Sequence, residues 1–208
     1  MFDDRTDAGN QLAESLLTQG VEADVVLGIP RGALPIARPV ADALEADLDV
    51  VVARKLGAPS NPELALGAVA SDGSVWLNES LIAQLGVDHA TIEETREREA
   101  ENAATKAARY RDGDELPDLE GKRVVVVDDG VATGATAIAC LRQVRAANCE
   151  FVMLAVPVGS PDSVSRLEAE ADEVFALQTP RWFQAVGQFY RDFGQVSDEE
   201  AMTYLDRS

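Results

Sequence analysis

The four consecutive valines at 124–127 constrain the fold more than any other feature of the sequence. A strand that is apolar on both faces must be covered on both faces, as an inner strand of a parallel α/β sheet is. The run ends at two adjacent acids, Asp128 and Asp129, and a loop of small residues follows at 132–136. The segment therefore predicts a buried parallel strand whose carboxyl end carries a polar loop that leads into a helix.

The alternation of strand and helix continues along the chain. A strand, a helix and a second strand in this order form a parallel unit with a right-handed crossover, so we predict an α/β fold with an open, doubly wound parallel sheet. Because Pro35 and Pro39 fall in the second helix, we expect that helix to start late or to bend. The predicted strands are 24–29, 48–54, 124–127, 151–158 and 174–177; the predicted helices are 7–19, 162–171, one carrying Ile36, Val40 and Leu44, and one carrying Ile138, Leu141 and Val144.

An excursion at about 56–121 interrupts this alternation between the second and third core strands. Two short strands are predicted at 66–77, around the hairpin dipeptide Asp72-Gly73. A short helix at 79–86, a long polar helix at 91–110 with a capping box from Thr91 to Glu94, and a polar turn region at 112–122 follow. We predict a single domain over 1–208, with a C-terminal cap at about 178–208.

The net charge of −19, from 37 acidic and 18 basic residues, disfavours binding to nucleic acid and to anionic membranes, so we expect neither as a partner. Only three basic residues are lysines: Lys55, Lys106 and Lys122. Many acids, few lysines and abundant alanine indicate a halophilic, salt-adapted source, with an ordinary acidic protein as the alternative. No apolar run approaches the roughly 20 residues of a membrane span and no signal peptide is recognised, which predicts a cytoplasmic protein.

The cysteines and the single histidine carry no predicted chemistry. Cys140 and Cys149 match no disulfide framework or metal spacing and are predicted to be small buried residues. His89 lies in a polar run and is predicted to be a surface residue at the start of a helix.

The acid pair and the loop after it form the candidate site. In an open parallel sheet, ligands bind beyond the carboxyl ends of the strands, where Asp128 and Asp129 fall. An isolated pair of acids is more often a turn or a helix cap. Here the backbone N–H groups of a loop without bulky side chains can wrap an anion, and the following helix adds its positive dipole end. The lysine of a P-loop and the glycines of a dinucleotide fingerprint are absent. The residues therefore indicate a ligand with a phosphate for the loop and hydroxyls or a metal for the acids.

The segment VVVVDDGVATGAT at 124–136 resembles the phosphoribosyl pyrophosphate (PRPP) signature of type I phosphoribosyltransferases. The resemblance implies that Asp128 and Asp129 bind the ribose hydroxyls and contact a metal indirectly, through PRPP or water. It also implies that the 5-phosphate is bound by the loop residues Ala132, Thr133, Gly134, Ala135 and Thr136.

The resemblance extends to other parts of the chain. The turn PRGA at 30–33 stands where the family has its pyrophosphate loop, often with a non-proline cis peptide, and 56–73 stands where it has a flexible hood. The resemblance implies that pyrophosphate is bound by Arg31, Gly32, Arg54 and Lys55, the last two at the end of the second strand. The stretches RKLGAPSNPELALGAVA and AVGQFYRDFGQVSDEE further resemble a little-characterised branch of the family.

The activity implied is that of a phosphoribosyltransferase, which is a glycosyltransferase. Such an enzyme uses PRPP and Mg²⁺ to transfer ribose 5-phosphate to a nitrogenous, nucleobase-like acceptor with release of pyrophosphate. The candidate catalytic residues are Asp128, Asp129, Arg31 and Lys55. The acids would stabilise the positive charge that develops at the anomeric carbon, and the cations, with Mg²⁺, would neutralise the leaving pyrophosphate.

The acceptor and two other functions stay open. Ala132 and Ala135 replace an Asp and a Lys of the 6-oxopurine enzymes, which argues against hypoxanthine or guanine as the acceptor. The alternatives to an enzyme are a PRPP-sensing regulator without turnover and an interaction protein with a fortuitous motif.

The family fold often dimerises, so a homodimer is compatible with the resemblance. Five C-terminal aromatic residues either stack on a planar base or, as we favour, form a hydrophobic cap: Trp182, Phe183, Phe189, Tyr190 and Phe193.

Overall fold

The computed structural model describes residues 1–111 and 116–206, in which strands and helices alternate through the core. The strands are β1 (Val25–Gly28), β2 (Asp47–Val50), β3 (Ala53–Ala58), β4 (Asn61–Ala70), β5 (Val75–Leu77), β6 (Arg123–Val127), β7 (Phe151–Val158) and β8 (Glu173–Gln178). The helices are α1 (Arg5–Thr18), α2 (Leu34–Ala43), α3 (Glu79–Leu85), α4 (His89–Tyr110), α5 (Ala135–Ala146), α6 (Pro161–Leu167) and α7 (Asp198–Thr203), with a 3-10 helix at Val186–Phe189.

The predicted parallel sheet is formed by five strands in the order β2-β1-β6-β7-β8. Val124 and Val126 of β6 pack in one core cluster with α5, and Val125 and Val127 pack in another with α1 and α2. All four valines are fully buried because helices cover both faces of the sheet. The doubly wound α/β fold is therefore confirmed.

The run 48–54, predicted as one strand, is divided between two sheets. β2 ends at Val50, the last residue paired with β1, and β3 begins at Ala53, which pairs with Ala70 of β4. The prediction was wrong because both halves are extended, and local preference does not specify the strand with which each half pairs. Arg54 and Lys55 consequently lie in the second sheet and not at the end of a core strand.

The second sheet is antiparallel and contains β3, β4 and β5; we call it the hood sheet. β4 and β5 form the predicted hairpin around Asp72-Gly73, although β4 starts earlier than expected. Small side chains join the hood sheet to α5, namely Ala68, Ala70, Ala135 and Ala139. The hood sheet is therefore packed against the helix that follows the candidate phosphate loop.

Two core helices differ in extent from the predictions. α2 begins at Leu34, before both prolines, and Pro39 lies inside it, so the late start is not observed. Pro35 occupies the first turn, where a missing N–H group leaves no hydrogen bond unmade. α6 ends at Leu167 instead of continuing to 171.

The long helix α4 is capped differently from the prediction. The Asp88 side chain accepts a hydrogen bond from the Thr91 N–H at 2.9 Å, so the capping box from Thr91 to Glu94 is wrong. His89, the first residue of the helix, is exposed as predicted. The carboxyl-terminal half of α4 buries Ala103, Ala107 and Tyr110 against the core edge and α7. Within the predicted turn region at 112–122, residues 112–115 lie outside the described part of the chain.

The C-terminal segment closes against the N-terminus. Phe2 and Tyr190 form a β-bridge, and their ring centroids are 5.3 Å apart. Phe183, Phe189 and Phe193 pack around this pair as a hydrophobic cap, whereas Trp182 is 89% exposed and does not join them. The last two residues of the predicted cap, 207–208, lie outside the described residues.

Both cysteines are free thiols, Cys140 fully buried as predicted and Cys149 only partly buried. In the described ranges, none of the helices combines the length and the apolar content needed to cross a membrane.

Candidate functional site

Asp128 and Asp129 lie at the carboxyl end of β6, at the edge of the sheet where the sequence places the candidate site. The Asp129 N–H donates a 2.8 Å hydrogen bond to Asp128 Oδ1. Burial, and then the neighbouring Asp129 charge, raise the pKa of the Asp128 carboxyl well above its ordinary value. A carboxyl whose charged form is so disfavoured is suited to a ligand that brings positive charge.

Arg5, at the start of α1, forms an ion pair with Asp129 that sequence reasoning missed. Its Nε and Nη2 atoms both lie 3.0 Å from Asp129 Oδ2. Its Nη1 donates to the Gly194 carbonyl at 2.7 Å, and its guanidinium carbon lies 3.8 Å from the centroid of the Phe193 ring. Burial raises the pKa of the Asp129 carboxyl, and Arg5 opposes that rise. Arg5 therefore fixes one carboxylate oxygen of Asp129 in place.

Tyr190 of the C-terminal cap holds the same residue through the backbone. Its hydroxyl donates a 2.6 Å hydrogen bond to the Asp129 carbonyl. Burial, followed by the Asp129 charge, raises the pKa of Tyr190, so the hydroxyl keeps its proton and stays a donor. The cap is thus part of the support of the acid pair.

Two carbonyl groups of the loop at 132–136 accept hydrogen bonds from α6 and from Ser160, its N-cap residue. Ser160 and Ser163 donate to the Ala132 carbonyl at 2.9 and 2.5 Å, and Arg166 Nη1 donates to the Thr133 carbonyl at 2.9 Å. Gly134 has φ 75°, a conformation that favours glycine, and α5 begins at the next residue with no side-chain cap among the described residues. The first N–H groups of α5 are therefore left to bind an anion.

The turn at 30–33 lies directly beside the acid pair. The peptide between Pro30 and Arg31 is cis, as the family resemblance implied. A Cβ atom placed on Gly32 would overlap Asp129 Oδ2 and lie 3.0 Å from its Cγ. The Arg31 side chain is exposed. The structure therefore brings Gly32 against Asp129, with Arg31 and Asp128 as their neighbours in the chain.

Arg54 and Lys55 lie on β3 of the hood sheet. Both are exposed, and Arg54 Nε lies 3.3 Å from Glu99 Oε2 of α4. The two residues line a cleft of about 610 Å³ between the hood sheet and α4, together with Arg98. Their place on a sheet separate from the core strands distinguishes them from the other candidate residues.

The acid pair suits Mg²⁺ bound jointly with a substrate. In the described part of the chain, no group of three or more acidic, histidine or cysteine side chains is arranged to hold a metal. Mg²⁺ commonly takes one or two carboxylates and completes its shell with water and substrate phosphates, so two carboxylates fit it. Asp128 is the better placed of the two, because Arg5 already neutralises Asp129.

The chain is similar to known proteins both in sequence and in structure. The model of the family described as "Phosphoribosyl transferase domain" matches residues 3–193. A Mycobacterium tuberculosis protein named "Putative phosphoribosyl transferase" is 47% identical over 208 residues, which are 100% of this chain and 47% of that protein. The chain thus spans about half the length of the curated relatives it matches. The crystal structure of TT1426 from Thermus thermophilus has 46% identity and a TM-score of 0.81, covering 98% of this chain and 97% of that one.

Proposed function

The chain belongs to the phosphoribosyl transferase domain family, and on that premise we propose that it transfers ribose 5-phosphate from PRPP to a nitrogenous, nucleobase-like acceptor. The reaction uses Mg²⁺ and releases pyrophosphate. One observation supports the proposal best: Gly32 of the turn at 30–33 lies against Asp129, where a pyrophosphate loop and a ribose-binding acid pair would share one site. The phosphate loop at 132–136 continues directly from these acids.

The acid pair acts on the ribose. Asp128 and Asp129 bind its 2- and 3-hydroxyls, which accounts for their place between the strand and the phosphate loop. As the bond from the anomeric carbon to pyrophosphate breaks and the bond to the acceptor nitrogen forms, positive charge develops on the ribose. The two carboxylates stabilise this charge.

The pyrophosphate side of the site uses cations and backbone groups. Arg31 and Gly32 bind pyrophosphate from the turn at 30–33, and Arg54 and Lys55 bind it from the hood sheet. Mg²⁺ held by PRPP beside Asp128 would neutralise part of the leaving-group charge. The loop residues at 132–136 bind the 5-phosphate through backbone N–H groups.

The acceptor proposed is a base or amine other than a 6-oxopurine. Ala132 and Ala135 lack the carboxylate and the ammonium group with which 6-oxopurine enzymes are equipped at these positions, as the family resemblance implies. A methyl group at each position preserves the phosphate loop but offers no proton acceptor to a base.

Ligand-induced stabilisation tests the binding step. PRPP with Mg²⁺, at about one hundred times its Kd, is expected to stabilise the parent protein by about 2.7 kcal/mol, measured by thermal unfolding in high salt. The Asp128→Asn, Asp129→Asn double variant should show no such shift. Equal shifts in parent and variant would show that the acids do not form the PRPP site.

Turnover is tested separately. The parent protein is incubated with PRPP, Mg²⁺ and a panel of bases and amines, and released pyrophosphate is measured. Release with one acceptor, absent in the double variant, is the expected outcome. PRPP binding without release across the panel would favour the PRPP-sensing regulator instead.

A further inference from the structure

Lys106 is a half-buried lysine of α4 that reaches the turn at 30–33. Its Nζ atom donates a 2.8 Å hydrogen bond to the Pro30 carbonyl, the group immediately before Arg31. The contact joins residues 76 positions apart in the sequence. Lys106 therefore touches the candidate pyrophosphate loop.

The surroundings of Lys106 include two other cations, Arg54 and Arg31. Burial lowers the pKa of Lys106, Asp198 of α7 raises it, and the charges of Arg54 and Arg31 lower it further. Asp198 is already engaged, since Tyr110 Oη donates to its Oδ1 at 2.6 Å and Arg109 Nη1 donates to its Oδ2 at 2.8 Å. Arg54 is also paired with Glu99. Lys106 and Arg31 thus lie near an acid, Asp198, that other partners already hold.

These neighbouring cations favour an anionic ligand. In a chain with net charge −19, cations are scarce, and partial burial of one beside two others costs free energy. A neutral donor would hold the Pro30 carbonyl without that cost. The positive charge of Lys106 is therefore explained by a ligand of high negative charge density that arrives beside Arg31.

We propose that Lys106 is a pyrophosphate-binding residue, a role that rests on the proposed function. One N–H of its ammonium group holds the Pro30 carbonyl. Among the hydrogen bonds of the described residues this is the one that Lys106 makes, so its two other N–H groups are available to pyrophosphate oxygens. The charge of Lys106 also lowers the pKa of Asp128, which favours the ionised form that the reaction needs.

Isothermal titration of three probes separates this role from a structural one: PRPP with Mg²⁺, Mg²⁺-pyrophosphate and ribose 5-phosphate. Lys106→Met, which keeps the length of the side chain, is expected to weaken the binding of PRPP and pyrophosphate by about tenfold or more and that of ribose 5-phosphate by less than about twofold. Lys106→Arg, which keeps the charge, should retain most of the affinity. The matched control is Lys122→Met, at the opposite end of β6, which should bind all three probes as the parent does.

Different titration results would contradict the role of Lys106 and the proposed function. A parent protein that does not bind PRPP contradicts the proposed function. A parent that binds PRPP, with Lys106→Met binding pyrophosphate equally well, overturns only the role of Lys106. Equal losses for pyrophosphate and ribose 5-phosphate in Lys106→Met would also overturn it, because they would show a general disturbance of the site. If Lys106→Arg bound pyrophosphate as weakly as Lys106→Met does, the positive charge of Lys106 would have no role in binding.

Discussion

At residue scale, Gly32 is the position where the turn at 30–33, the candidate pyrophosphate loop, meets the acid pair. We expect Gly32→Ala to weaken PRPP binding by about tenfold or more, because the added methyl group overlaps Asp129 Oδ2 and Arg5 prevents the carboxylate from moving freely. The matched control is Gly194→Ala, in which the new Cβ meets nothing closer than Asp192 Oδ1 at 3.4 Å. Isothermal titration with PRPP and Mg²⁺ measures both. Parent-like affinity in Gly32→Ala would show that the close approach has no part in binding.

The buried carboxylate of Asp128 lowers the stability of the ligand-free protein at neutral pH. The folded chain holds a proton at Asp128 more tightly than the unfolded chain does, so stability falls as pH rises from about 3.9, the ordinary Asp value, through the raised pKa. We expect Asp128→Asn to lack this fall and to raise the free energy of unfolding at pH 7 by about 1 kcal/mol, while losing stabilisation by PRPP.

Urea unfolding between pH 5 and pH 8 checks the Asp128 prediction. The control is Glu97→Gln, an exposed acid of α4, whose stability should follow that of the parent at every pH. A less stable Asp128→Asn variant at pH 7 would contradict the assignment of a disfavoured buried charge.

At element scale, α6 holds the candidate phosphate loop at 132–136. Ser163 is buried, and its hydroxyl holds the Ala132 carbonyl at 2.5 Å. We expect Ser163→Ala to cost about 1 kcal/mol of stability and to weaken ribose 5-phosphate binding by about threefold to tenfold, because an unfixed carbonyl lets the loop N–H groups turn away. Ser165→Ala, an exposed serine on the same helix, should change neither quantity. Unaltered affinity in Ser163→Ala would show that the loop keeps its shape without α6.

The sequence predicts best those strands in which every consecutive residue is buried. The valines of β6 need helices on both faces, and this requirement alone indicates a parallel α/β sheet with a ligand site at its carboxyl end. The boundary at Val50 was missed because a change of sheet alters the pairing partner and leaves local conformation extended. Placement of Arg54 and Lys55 on the hood sheet depends on that boundary.

At the scale of the whole molecule, the support of the site comes from residues far apart in sequence. Arg5 contacts Asp129 across 124 positions, and Lys106 contacts Pro30 across 76. No local pattern marks either residue, since each contact exists only after the termini and α4 have packed onto the core. Lysine scarcity was the one available signal for Lys106, and it could not tell Lys106 from Lys55. The homodimer implied by the family stays a prediction.

The net charge of −19 makes the whole molecule sensitive to salt, whatever its source. We expect the free energy of unfolding at pH 7.5 to rise between 0.1 and about 2 M KCl, because screening shortens the Debye length to about 3 Å at 1 M and suppresses long-range repulsion among the acids. Surface ion pairs also weaken in salt, but each contributes at most about 1 kcal/mol, so the removal of repulsion dominates. Urea unfolding at each salt concentration measures the slope, and repetition at pH 5, nearer the sequence pI of about 4.3, is the control. A salt slope that is equal at both pH values would show that general exclusion of salt from the protein surface, and not screening of its acids, stabilises the fold.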